Sequence, residues 1–160
     1  MKEYDLIVIG MGPAGMAVTA MASNMELDVL AIEKHKVGGE CLNYGCIPSK
    51  ALLKAGEMNE VTENLEKYGI NFQGETEINN PLEIVQNKLD QISGSKTMKA
   101  FEKADLILNE GNAEFVDENT VKVGNEKYKS DKIFIATGTE PFIPPIPGIK
   151  DVPQLTNLNL

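Results

Sequence analysis

The stretch Tyr4-Asp-Leu-Ile-Val-Ile-Gly-Met-Gly-Pro-Ala-Gly15 decides the fold of this chain. It begins as a short apolar run that ends in glycine, which is typical of a strand buried on both faces of a parallel sheet. Pro13 suits the first position of a helix, and apolar residues then recur at helical spacing as far as Asn24. A second apolar run at 27–32 predicts another strand, so residues 4–32 form a strand–helix–strand unit.

Helical patterns fill the middle of the chain and favour an α/β fold. Residues 36–50 match neither the helical nor the strand period, so we expect a loop that enters a helix near Cys46. Helical patterns then cover 51–68 and 81–103. The second of these is interrupted at 93–95 by Ser-Gly-Ser, where we expect a kink or break.

Short strands follow in the last third of the chain. We predict one strand at 106–108 and a last buried strand at 133–136. Between them, three alternating segments separated by turns predict a small antiparallel β-meander; the segments are 113–116, 120–123 and 127–129. The fold class predicted from the whole pattern is therefore α/β, with a parallel sheet, helices and a meander.

Composition and charge exclude several classes of partner. The chain has 160 residues, 42% of them hydrophobic and 24% charged, which is typical of one globular domain. Its 24 acidic residues outnumber 15 basic ones, and the net charge of -9 opposes binding to nucleic acid or to anionic lipid. The apolar run near the N-terminus is too short to span a bilayer, and the residues before it do not form a signal peptide. We therefore expect a cytoplasmic chain that binds neither nucleic acid nor membrane.

The glycines of the opening stretch match the fingerprint of a dinucleotide-binding loop. Gly10 allows the tight turn, Gly12 lets the backbone approach a pyrophosphate, and Gly15 lets the helix pack closely on the strand. The helix N-terminus favours the negative charge of the phosphates. Glu33, at the end of the second predicted strand, offers a carboxylate to ribose hydroxyls. A glycine-rich turn without a ligand is the alternative, and the motif alone does not separate FAD from NAD.

Cys41 and Cys46 are the two cysteines of the chain. On a regular helix, residues five apart are separated by about 7.5 Å, whereas a disulfide tolerates a Cα separation of roughly 7 Å. The backbone must therefore fold back for the two sulfurs to meet, and Gly45 supplies the freedom for that bend. A helix that starts near Cys46 favours its thiolate, and Cys41 in the preceding loop would be the more accessible sulfur.

Two other interpretations of the cysteines stay open on these grounds. A zinc site usually takes four ligands, and His35 is the single histidine available beside the two thiols. Two inert buried thiols are the other alternative. We predict no metal.

With the fingerprint before it, the stretch Gly-Gly-Glu-Cys-Leu-Asn-Tyr-Gly-Cys-Ile-Pro-Ser-Lys-Ala-Leu-Leu at 38–53 resembles the pyridine nucleotide-disulfide oxidoreductases, most of all dihydrolipoamide dehydrogenase. Ala136-Thr-Gly138 matches an Ala-Thr-Gly segment of that family, and Gly111-Asn-Ala113 falls where its members contact the adenine. The resemblance extends from Tyr4 to about Gly148.

This resemblance implies a Rossmann-like FAD-binding domain that passes electrons between NAD(H) or NADP(H), FAD and a Cys41–Cys46 disulfide. It implies that Cys46 faces the flavin, that Cys41 meets the substrate, and that Lys50 lies near the reactive edge of the isoalloxazine. His35 is not expected to be the catalytic base, which in the family comes from a C-terminal domain. The remaining residues that it implies for FAD binding are Gly10, Gly12, Pro13, Ala14, Gly15, Glu33, Lys34, Gly38, Gly39, Gly111, Asn112, Ala113, Ala136, Thr137 and Gly138.

The resemblance also implies partners and a larger protein. Family members continue into nicotinamide and dimerisation domains, so we expect residues 1–160 to be the first segment of the FAD domain and inactive alone. The expected substrate is a disulfide or dithiol, with the lipoyl group first, and the full-length enzyme is expected to be a homodimer. Because Glu40 replaces a usual threonine and Tyr44 a small aliphatic residue, a sister reductase of the mercuric or glutathione reductase type is an alternative. A stand-alone nucleotide-binding or thiol-sensing module is another.

Overall fold

The computed structural model describes residues 1–74, 77–93 and 95–159. In these ranges the strands are β1 (Lys2–Glu3), β2 (Leu6–Ile9), β3 (Val29–Glu33), β4 (Asp105–Leu108), β5 (Ala113–Phe115), β6 (Thr120–Val123), β7 (Glu126–Lys129) and β8 (Ile133–Ile135). The helices are α1 (Pro13–Asn24), α2 (Gly39–Asn43), α3 (Cys46–Glu63), α4 (Pro81–Ser93) and α5 (Ser95–Lys99), with 3-10 turns at Leu65–Tyr68 and Ile149–Asp151.

A parallel sheet with the order β4-β3-β2-β8 forms the centre of the molecule. Successive residues of β2 point to opposite faces. Ile7 packs with Leu30 and with Val121 of the second sheet, whereas Val8 packs with Ala22 of α1. The parallel sheet is therefore covered on both faces, which explains the continuous apolar runs of β2 and β3.

The second sheet has the order β1-β7-β6-β5. Strands β5, β6 and β7 pair in antiparallel fashion, so the predicted meander is confirmed. Strand β1 was not predicted: it has only two polar residues, and it adds to β7 in parallel register. An ion pair of 2.7 Å between Lys129 Nζ and Glu3 Oε1 joins these two strands.

Several details of the predicted elements are wrong. The expected loop at 36–50 contains a short helix, α2, which is one turn long and so shows no apolar period. The helix expected over 51–68 ends at Glu63, where the chain tightens into a 3-10 turn. Strand β8 is not buried as predicted, because it lies at the edge of the sheet and leaves Phe134 and Ile135 exposed.

The kink or break expected at 93–95 centres on Gly94, which lies outside the described residues. Helix is described on both sides of it, as α4 up to Ser93 and as α5 from Ser95. Helix α5 then ends at Lys99 instead of 103. A helix that continues beyond Lys99 is therefore wrong, and residues 100–103 form turns that bring Phe101 into the core.

The parallel arrangement brings the candidate binding segments to one edge of the sheet. Because β2, β3, β4 and β8 are parallel, their carboxyl ends meet there. The fingerprint loop follows β2, Glu33 ends β3, Gly111 follows β4 and Ala136 follows β8. This edge is where open α/β sheets bind their ligands.

A pair of glycine substitutions in helices tests this packing. A Cβ at Gly15 in α1 would clash with the carbonyl group of Gly10, whose carbon would lie 2.9 Å away, whereas a Cβ at Gly56 in α3 meets nothing within 4 Å. We expect Gly15→Ala to lower the free energy of unfolding by about 1–3 kcal/mol through overpacking. Gly56→Ala should raise it by roughly 0.5–1 kcal/mol through helix propensity. Urea unfolding followed by circular dichroism measures both, and shifts of the same sign would contradict this packing.

Candidate functional site

The fingerprint loop packs against the segment that follows β8. The Gly10 N–H donates to the Ile32 carbonyl (2.8 Å), and the Ala136 N–H donates to the Ile9 carbonyl (2.7 Å). Gly10 has φ +95°, and a Cβ there would lie 2.7 Å from the carbonyl carbon of Ala136. Glycine is therefore required at the start of the loop, and the loop is held against Ala136.

The Gly38–Gly39 segment lies on the other side of the loop. The Gly38 N–H donates to the Met11 carbonyl (2.7 Å). Gly39 has φ +57°, and a Cβ added there would lie 2.8 Å from Gly12 Cα. By contrast, a Cβ added at Gly12 would have a single neighbour within 4 Å among the described residues, when the residues next to it in the chain are left aside. That neighbour is Gly39 Cα, at 3.9 Å. The backbone of Gly12 is thus open to a close-lying ligand.

Glu33 lies beside this loop and is 9% exposed. Its Oε2 accepts a hydrogen bond from the Met11 N–H (2.7 Å), and its Oε1 accepts one from the His35 N–H (2.8 Å). Each carboxylate oxygen can accept a further hydrogen bond. Glu33 can therefore orient the loop and still accept from a hydroxyl group, while the neighbouring Lys34 is exposed.

Met11 has a part in the site that was not predicted from the sequence. This residue is fully buried, its N–H donates to Glu33, and its carbonyl accepts from Gly38. Its Sδ also accepts a hydrogen bond from Thr19 Oγ1 (3.4 Å). Backbone groups make most of these contacts, so the residue type gives no signal for this role. Met11 links the loop to both Glu33 and the Gly38–Gly39 segment.

Asn43 was also missed as a positioning residue. Its Nδ2 donates to the carbonyls of Gly39 (2.8 Å) and Val37 (3.2 Å). The Tyr44 N–H then donates to the Glu40 carbonyl (2.8 Å). These bonds close the single turn of α2, so the sequence motif holds its conformation through side-chain to backbone bonds.

The two cysteines lie on successive helices. Cys41 is partly buried in α2, and Cys46 is exposed as the first residue of α3. Both cysteines are free thiols. The chain folds back between them at Gly45, where a Cβ would lie 3.3 Å from the Glu40 carbonyl oxygen. The expectation that Cys41 lies in a loop and is the more accessible sulfur is wrong, because Cys41 lies in α2 and is the more buried of the two thiols.

Electrostatics make the two thiols unequal. The pKa of Cys41 is raised, first by its hydrogen bond to Cys46, then by burial and by the charge of Cys46. The backbone of Cys46 and the charge of Lys50 act in the opposite direction on this pKa. The hydrogen bond and the charge of Cys46 therefore help to hold the proton on Cys41.

The other residues proposed from sequence lie around the same edge. Lys50 is exposed on α3 and acts on Cys41 through its charge. Pro13 and Ala14 form the exposed first turn of α1. The two other segments follow edge strands: residues 111–113 come after β4, and residues 136–138 come after β8. Of these two, the second is in direct contact with the fingerprint loop through Ala136.

Two structural features bear on other classes of function. The described residues hold no group of three or more His, Cys, Asp or Glu side chains placed to bind a metal ion. None of the helices in this part of the chain combines the length and hydropathy needed to cross a membrane.

Comparison with known proteins matches this geometry. The family model described as "Pyridine nucleotide-disulphide oxidoreductase" matches residues 4–159. The chain belongs to this family. Its structure also superimposes on the Cu(II) complex of the HOCl-induced flavoprotein disulfide reductase RclA from Escherichia coli, with a TM-score of 0.75 and 27% identity over 96% of this chain and 32% of that one. The Rossmann-like fold predicted from the sequence is confirmed.

Curated relatives of this pyridine nucleotide-disulphide oxidoreductase chain include two kinds of enzyme. A dihydrolipoyl dehydrogenase of Mycoplasma pneumoniae is 37% identical over 95% of this chain and 34% of its own length. A mercuric reductase of Staphylococcus aureus is 33% identical over 97% of this chain and 28% of its own length. The chain thus spans about a third of the length of these relatives. Members of the family use FAD and NAD(P)H.

Alkylation tests the inequality of the two thiols. At neutral pH, iodoacetamide should modify the exposed Cys46 faster than Cys41, because the raised pKa of Cys41 keeps it protonated. Cys46→Ala removes both the hydrogen bond and the charge that raise that pKa, so Cys41 should become more reactive at a given pH. Mass spectrometry of the alkylated peptides across a pH series measures both effects. Faster alkylation of Cys41 in the unsubstituted chain would contradict this account.

Proposed function

We propose that this chain is the FAD-binding and disulfide-bearing part of a flavin-dependent dithiol–disulfide oxidoreductase of the dihydrolipoamide dehydrogenase type. The contact between Gly39 and Gly12 supports this proposal most strongly. It joins the helix that carries Cys41 to the loop whose glycines match a dinucleotide fingerprint. A nucleotide bound by the loop would therefore have its reactive end near the thiols.

The residues at the sheet edge fit FAD. The open backbone at Gly12, the exposed first turn of α1 and the adjoining Gly38–Gly39 segment suit the pyrophosphate. Glu33 has carboxylate oxygens free to accept from ribose hydroxyls, with Lys34 beside it. We assign the adenine to residues 111–113 and a further backbone contact to residues 136–138. When bound, FAD supplies two-electron transfer between a nicotinamide and the Cys41–Cys46 pair.

The thiol pair then performs exchange with the substrate. In the direction of dithiol oxidation, a substrate thiolate attacks Cys41 of the Cys41–Cys46 disulfide, and Cys46 leaves as a thiolate. The second substrate thiol displaces Cys41, which releases the substrate disulfide and leaves two electrons on the pair. Because the pKa of Cys41 is raised, Cys41 takes up a proton when it leaves the substrate. Lys50 supplies a positive charge beside the pair.

The similarity to dihydrolipoyl dehydrogenase supports a lipoyl dithiol as the first candidate substrate, since that relative is 37% identical and the mercuric reductase 33%. We also propose that the parent enzyme is a cytoplasmic homodimer in which the Cys41–Cys46 pair cycles between thiol and disulfide. NAD(H) or NADP(H) is its electron partner.

Absorbance spectra of the chain reconstituted with FAD test the assigned roles. After two-electron reduction the flavin band should gain a long-wavelength shoulder, because in the assigned arrangement the thiolate of Cys46 would face the bound flavin. Cys46→Ser should abolish the shoulder. Cys41→Ser is the matched control, and it should show the shoulder without reduction because Cys46 can no longer form a disulfide. The proposal would be falsified if Cys41→Ser lost the shoulder and Cys46→Ser kept it.

A further inference from the structure

Glu40 is a fixed negative charge on the helix that carries Cys41, and the proposed function gives it no role. It is exposed and directly precedes Cys41 in α2. Its Oε1 accepts a hydrogen bond of 2.6 Å from Asn157 Nδ2, 117 positions further along the chain. The carboxylate is therefore held in place instead of moving freely in solvent.

The turn at 154–159 positions Asn157. The Thr156 N–H donates to Asn159 Oδ1 (2.6 Å), and the Leu158 N–H donates to Thr156 Oγ1 (3.2 Å). Asn159 Nδ2 in turn donates to the Gln154 carbonyl (3.0 Å). Because the turn is closed by its own hydrogen bonds, it presents the amide of Asn157 to Glu40.

Two lysines, Lys36 and Lys50, lie outside α2, unlike Glu40. Lys50 lies on α3, and its charge acts on Cys41. The Nζ of Lys36 lies 5.8 Å from the centroid of the Tyr44 ring, a cation–π contact. Glu40 thus places a negative charge on the residue next to Cys41, in a chain whose net charge is already -9.

We propose that Glu40 is a specificity-determining residue that favours disulfides with a positive charge beside the sulfur–sulfur bond over disulfides with a negative charge there. This inference rests on the proposed role of Cys41 as the sulfur that meets the substrate. Cys41 loses its proton to solvent and attacks one sulfur of the substrate disulfide, the sulfur–sulfur bond breaks, and one substrate half leaves as a thiolate. Cys46 then attacks Cys41, which closes the Cys41–Cys46 disulfide and releases the second half. Glu40 forms no bond in these steps and acts through its charge.

Exchange rates with charged disulfides test the proposal without flavin or nicotinamide. The reduced chain is used in a Cys46→Ser background, where Cys41 is the one remaining cysteine. The probes are cystamine (cationic), dithiodiglycolate (anionic) and 2-hydroxyethyl disulfide (neutral), and mass spectrometry follows the mixed disulfide at low ionic strength. If the charge of Glu40 and the charge of the probe are about 8 Å apart in water, their interaction should change the exchange rate about twofold.

Relative to the neutral disulfide, Glu40→Gln should therefore slow cystamine and speed dithiodiglycolate about twofold each, an about fourfold change in their ratio. The neutral disulfide is the reference because loss of a negative charge beside Cys41 also favours its thiolate and raises all three rates. Because the Debye length is about 3 Å in 1 M salt, the charge effect should vanish there. An unchanged ratio at low ionic strength would overturn the proposal.

Two matched variants separate charge from structure. Asn157→Ala removes the hydrogen bond and keeps the carboxylate, so it should leave the ratio close to that of the parent. If Glu40 merely anchored the turn, Asn157→Ala would change the ratio and Glu40→Gln would not, because glutamine still accepts from Asn157. Glu118→Gln removes the same charge from the turn between β5 and β6. An equal effect of Glu118→Gln would overturn a local role for Glu40.

The proposed function is checked separately in the chain with both cysteines. There, 2-hydroxyethyl disulfide should close the Cys41–Cys46 disulfide in every Glu40 variant. Failure to close it in the unsubstituted chain would overturn the exchange chemistry itself, whereas closure with an unchanged charge preference would overturn only the role of Glu40.

Discussion

Backbone contact between the fingerprint loop and the Gly38–Gly39 segment is the constraint on which the site depends. A Cβ at Gly39 would lie 2.8 Å from Gly12 Cα, so a larger side chain at Gly39 would displace the fingerprint loop. The hydrogen bond from Gly38 to Met11 fixes the same pair of segments. Because α2 begins at Gly39, one contact positions both the fingerprint loop and Cys41.

Sequence predicted the parts of the fold that have a strong periodic signal. Strands buried on both faces read as continuous apolar runs, and α1 spans Pro13–Asn24 as its pattern indicates. Helix α2 could not be predicted in this way, because five residues show no period and its turn is closed by the Asn43 side chain. Strand β1 is two polar residues long and exists through pairing with β7.

The candidate site was predictable where residue type decides the chemistry. Glycines at close backbone contacts, the acid at the end of β3 and the two cysteines all follow from the sequence. Met11 did not, because it acts through backbone groups that bond to residues as far as 27 positions away, Gly38 among them. The sequence predicted that Cys41 is the more exposed thiol, whereas the structure exposes Cys46 more. The prediction failed because Cys41 lies in α2, a helix that the sequence pattern does not indicate.

The most direct test of this account is a titration of the ¹⁵N-labelled chain with FAD, followed by amide chemical shifts. At 17.5 kDa the chain is small enough for individual amide resonances to be assigned. We predict that the resonances of Gly12, Gly39 and Thr137 move together, since these backbone groups meet at one edge of the sheet. Unchanged resonances there, with shifts confined to the surface hollow beside Leu65 and Phe72, would contradict the account.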